Sequence, residues 1–191
     1  MQFPVTIVFN SLGWGVTIAV EDGTGARIGF APYRIGRDGK LWVYRDEGMA
    51  EAIYVVEIQT RPFGTYVLRN ASGTTLGSLA LAEGGSGYVV SVGDEPHFEV
   101  RALSPGLHFV DWLFDTIPVV NVVTGLLMRP CHVFKRRGGE VDVATMIKQR
   151  TMFDANYRLE PHSDFDGPEG ECMVLASIVI AMHARRFLSL W

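Results

Sequence analysis

Two hydrophobic patterns share this chain. One is dense and late. Cys172–Met182, CMVLASIVIAM, is eleven residues without a charge, and Ser177 is its one polar side chain. Met, Leu and Ala favour helix, and neither Pro nor Gly interrupts the run. An ordinary surface helix keeps a polar face. This one has none, so it needs apolar partners on every side. At about 1.5 Å per residue it spans roughly 16 Å, about half the hydrocarbon core of a bilayer. The pattern predicts a helix, about residues 170–187, threaded through the middle of a folded domain. Glu169 and Glu171 before it, and Arg185 and Arg186 after it, suit its macrodipole.

The other pattern is a series of short β-rich runs separated by turn residues. MQFPVTIVFN at the start reads as a first strand. Val16–Val20, the turn Glu21-Asp22-Gly23-Thr24-Gly25 and Arg27–Phe30 make one hairpin. Tyr66–Arg69, Asn70-Ala71-Ser72-Gly73 and Thr74–Leu81 repeat its plan, each with an apolar-Gly step after the turn (Ile28-Gly29, Leu76-Gly77). His132–Lys135, Arg136–Gly139 and Glu140–Ala144 predict a third hairpin. Leu41–Tyr44, Ile53–Gln59, Gly87–Val92, Phe98–Ala102 and Tyr157–Leu159 are further strands. Trp42 and Tyr44 alternate on theirs and are expected to face the core, with Val43 outward. Pro161–Gly170 is a polar loop leading into the helix.

Gly106–Met128 is a second apolar stretch. His108–Asp115 reads as an amphipathic helix and Val119–Val123 as a strand. A transmembrane span is the alternative. It is disfavoured because aspartates such as Asp111 and Asp115 cost roughly 2.5–3.5 kcal/mol each at mid-membrane.

Short strands with Gly-rich turns predict a sandwich or barrel. The helix decides between them: a closed sheet has no exposed edge, and its inward side chains give the complete apolar wall that this helix requires. The expected architecture is mainly β, one domain over residues 1–191.

Composition narrows the classes. The chain has 191 residues, 48% of them hydrophobic, and a net charge of −4. That balance argues against a general nucleic-acid binder. Cys131 and Cys172 have no metal-ligand spacing and are too few for a disulfide framework. The N-terminus lacks the pattern of a signal peptide. A reduced, cytoplasmic setting is expected.

Candidate chemistry is sparse. Lys135-Arg136-Arg137 before Gly138-Gly139 is the strongest electrostatic feature. It is a candidate cradle for a phosphate or anionic lipid head group, weighed against a solvated hairpin tip. His97, His108, His132, His162 and His183 have no zinc-ligand spacing, so no metal is expected. Cys172 is either a helix-terminal thiol of lowered pKa or, the favoured reading, a buried inert one. No nucleophile-elbow or phosphate-loop motif occurs, so neither catalysis nor a cofactor is expected.

Several segments in order resemble the tubby C-terminal-like superfamily, in its scramblase and LURP-one-related branch. They are Asp22-Gly23-Thr24-Gly25, Trp42-Val43-Tyr44-Arg45-Asp46-Glu47, Leu76-Gly77-Ser78-Leu79, Phe153-Asp154-Ala155-Asn156-Tyr157-Arg158-Leu159, Asp164-Phe165-Asp166 and Cys172-Met173-Val174-Leu175-Ala176-Ser177. The resemblance implies a closed antiparallel β-barrel of about twelve strands enclosing the C-terminal helix. Tubby proteins bind phosphoinositides through basic side chains whose positions do not map here. The scramblase cysteine-rich segment is absent, and its acidic calcium segment is approximated only by Asn156, Asp164 and Asp166.

The expected function is a non-enzymatic intracellular binding module, peripheral to the membrane. It would recognise an anionic phospholipid or phosphoinositide-type head group through Lys135, Arg136 and Arg137. A scramblase-like lipid-translocating protein and a protein-interaction scaffold are the alternatives.

Overall fold

The structure, a computed structural model, describes residues 2–10, 16–59, 64–82, 87–102, 131–150, 155–165 and 167–186. Twelve strands and one helix follow in chain order. They are β1 Val5–Asn10, β2 Thr17–Glu21, β3 Arg27–Pro32, β4 Lys40–Tyr44, β5 Ala52–Ile58, β6 Tyr66–Asn70 and β7 Thr75–Leu81, then β8 Gly87–Val92, β9 Glu95–Ala102, β10 Cys131–Arg136, β11 Asp142–Arg150 and β12 Ala155–Pro161. The helix, α1, is Pro168–Arg186. Pro168 opens it, where a missing N–H costs nothing.

Every strand pairs antiparallel with its chain neighbours, and β1 pairs β12 to close the barrel, with Val5 opposite Leu159. The interior follows the period of two. On β1, Val5, Ile7 and Phe9 are fully buried, with half-buried Thr6 and Val8 between them. Leu68, Leu79, Val90, Phe98, Phe134, Met146 and Leu159 continue the wall around the barrel.

α1 fills the space inside. From Cys172 to Met182 no residue is more than 7% exposed. Ser177, the polar exception, donates its hydroxyl to the Met173 carbonyl one turn back, at 2.8 Å, so no donor is left bare in the core.

The helix lies nearest β7 and β8. Gly77 is where a side chain on that wall would collide with it.

The outward face of β4 differs from expectation. Leu41 and Val43 are buried in the core, whereas Trp42 and Tyr44 are half-exposed on the outside. At β4 the gap between wall and α1 is filled by Leu41 and Val43, which leaves the indole and phenol of this strand on the outer face. There Lys40 Nζ sits 6.0 Å from the Trp42 ring centroid.

The expected helix His108–Asp115, the strand Val119–Val123 and the transmembrane alternative over Gly106–Met128 lie outside the described residues. No described helix is long and apolar enough to cross a membrane.

Candidate functional site

Antiparallel order sends alternate connections to opposite rims of the barrel. The β2–β3, β4–β5, β6–β7, β8–β9 and β10–β11 turns share a rim with the start of α1. The β3–β4, β5–β6, β7–β8 and β9–β10 connections share the other rim, where α1 ends.

Among the described residues the rims differ in charge. The first carries Glu21, Asp22, Asp46, Glu47, Glu51, Asp94, Glu95, Glu140, Asp142, Asp164, Glu169 and Glu171, against Arg27, Arg45, Arg69 and Lys135–Arg137. At the second, the connection described in full is residues 33–39. It holds Arg34, Arg37 and Asp38 and leads into Lys40; both arginines are exposed.

The sequence-predicted basic run therefore stands on the acidic rim. Lys135 Nζ is 3.2 Å from Asp142 Oδ1. Arg136 Nη2 is 3.4 Å from Glu169 Oε2, and the other oxygen of Glu169 is 2.7 Å from His97 Nε2. Arg137 is exposed, and its backbone N–H donates to the His97 carbonyl at 2.9 Å. Two of the three cations are thus engaged by carboxylates. Glu169 comes from an element 33 residues away, a partner that the local run does not reveal.

A second feature has no counterpart in the sequence reading. β3 and β4 are joined through the single residue pair Phe30↔Tyr44, and below it the wall opens into a slot of about 230 Å³. Val20, Ile28, Val43 and Ile53 line it from the strands, and Val174, Leu175 and Ile178 from α1. Its polar groups are Arg45, Tyr54 and Glu171. Arg45 is held by Glu51 through Nε at 2.8 Å and Nη2 at 3.1 Å. That pairing raises the arginine and holds the Glu51 carboxyl below its ordinary value. Tyr54 lies beside Glu171; burial first, and that carboxylate second, push its phenol up to about 12.

At the opposite end of α1, His183 sits between two phenols. Tyr66 Oη is 2.5 Å from its Nε2 and Tyr88 Oη 3.2 Å from its Nδ1. A neutral imidazole donates from one nitrogen and accepts at the other, so the ring fastens the helix end to β6 and β8.

Burial first, with the Glu171 charge beside it, pushes the Cys172 thiol up to about 12, the inert state. Asn156 near the start of β12 and Asp164 beyond its end lie at opposite rims, and Asp166 lies outside the described residues. Among the described residues no group of His, Cys, Asp and Glu could hold a metal ion.

No family model and no curated protein matches the chain. A protein from Arabidopsis thaliana, solved by X-ray crystallography, is similar in structure. The match covers 95% of this chain and 91% of the other, with a TM-score of 0.50 and 12% sequence identity. At that identity the likeness concerns the fold.

Proposed function

We propose that this barrel is a non-catalytic binding module that sits on anionic lipid surfaces through the rim at which α1 ends. The observation that carries the reading is the β3–β4 connection, where Arg34 and Arg37 are exposed and have no ion-pair partner among the described residues. Lys40 follows them. Asp38, the one acidic residue between, accepts the Lys40 backbone N–H at 3.2 Å. Basic residues near an anionic surface contribute about 1 kcal/mol each. The acidic opposite rim would be repelled by the same surface, and this sets the orientation.

The test is flotation with phosphatidylserine-containing vesicles. The triple variant Arg34→Gln, Arg37→Gln, Lys40→Gln is expected to lose salt-sensitive binding, and Lys135→Gln, Arg136→Gln, Arg137→Gln to keep it. The reverse result would return the site to the β10–β11 turn. Binding that resists high salt and yields only to detergent would favour lipid translocation. No binding by the unaltered chain would leave the scaffold reading.

A further inference from the structure

The slot between β3 and β4 is unrelated to the rim just discussed, and its chemistry points elsewhere. The walls are aliphatic from both the barrel and α1. Of the two charged side chains that reach it, Arg45 already has both Glu51 oxygens on its guanidinium. Glu171 shares the slot lining with the Tyr54 phenol and has no cation within ion-pair distance among the described residues. A carboxylate has lone pairs for more than one donor. Of the flanking turn carboxylates, Glu51 is matched by Arg45 and Glu47 by Arg27; Asp46 adds its charge to that of Glu171 at the mouth, so an anion entering here would meet like charge.

We propose that the slot is a binding site for small alkylammonium amphiphiles: the ammonium donates to Glu171 at the mouth, and the chain lies between Val43 and the Val174–Ile178 turn of α1. The volume of about 230 Å³ is below the roughly 300–1,000 Å³ of drug-sized pockets. At about 30 Å³ per water-sized group it admits roughly seven or eight of them, a short chain. Nothing covalent is involved. The parts divide the work: the apolar lining sets affinity by chain length, and Glu171 sets the sign of the charge accepted.

The test is calorimetric titration of the full chain at pH 7 with n-butyl-, n-hexyl- and n-octylammonium chloride, and with octan-1-ol and octanoate. Affinity is expected to rise about fourfold per methylene through the ammonium series, and octylammonium to bind more tightly than octan-1-ol or octanoate. Glu171→Gln is expected to weaken octylammonium at least tenfold and to leave octan-1-ol unchanged. The octanol titration also reports whether that variant keeps its slot. If it does not fold, methyl shifts of the unaltered chain decide: octylammonium should move Val43, Val174 and Ile178. Affinity independent of chain length, octan-1-ol binding as tightly as octylammonium, a Glu171→Gln effect within twofold in a folded variant, or methyl shifts confined to other residues would each overturn the proposal.

Discussion

A β-carbon on Gly77 would stand 2.9 Å from the sulfur of Cys172 and 2.0 Å from the carbonyl oxygen of Ser91. Real β-carbons do not come that near. The helix and the β7–β8 ladder approach so closely there because residue 77 has no side chain. The carbonyl is backbone and cannot swing aside, so Gly77→Ala must displace the strand or the helix. Overpacking of this kind costs about 1–3 kcal/mol or more, and a lowering of Tm by about 2–12 °C is expected at roughly 2–4 °C per kcal/mol. Gly48→Ala is the control. Its nearest obstacle is the Asp46 carboxylate at 3.1 Å, the mobile end of an exposed side chain. Equal melting of both variants would refute the close approach.

Removing residues 168–191 tests the role of the helix as the inside of the barrel. Each large apolar side chain of Cys172–Met182 contributes about 1.5–3 kcal/mol through burial, and the inward faces of the strands lose their partner as well. The truncated chain is expected to be insoluble, or molten with strong dye binding and collapsed amide dispersion. A soluble truncation with sharp, dispersed amide resonances would contradict the account.

Alkaline pH should weaken the fold. Burial first, and the neighbouring Tyr66 second, push the Tyr88 phenol from its ordinary 10 up to about 12. In the unfolded chain that phenol ionises near 10, while in the native state it keeps its proton. Its contribution is complete below pH 10 and is lost as pH rises toward 12. Tyr54 acts in the same direction over the same window, discounted because it is only half-buried. Urea midpoints measured at pH 9 and 11.5 should fall, and less so in Tyr88→Phe. An equal fall in the variant would remove Tyr88 from the explanation.

The legible parts of the fold were those set by local chemistry. Asp22-Gly23-Thr24-Gly25 announces its turn because Asp22 accepts the Thr24 N–H and Thr24 hydroxyl and Gly25 takes a positive φ of 80°. The helix was legible from its missing polar face. β11 runs to Arg150, well past the expected Ala144, because Lys148, Gln149 and Arg150 look like loop residues until β12 supplies hydrogen-bond partners. The facing of Trp42 and Tyr44 was illegible for a different reason. Both faces of β4 are apolar, so the pattern alone does not choose between them, and the volume taken by α1 does. The basic run Lys135–Arg137 was visible, but Glu169 and the acidic turns around it are assembled by the barrel. The slot depends on a short β3–β4 pairing that no residue type marks.

The pairing of β1 with β12 has a consequence at the ribosome. Val5 must wait for Leu159, and at about 5–20 residues per second that interval is roughly 8–30 s. For that time one side of the first strand offers bare amides and carbonyls to whatever is near. A newborn chain of this architecture is therefore a natural client for chaperones that hold extended segments, and slowing its translation lengthens the exposure.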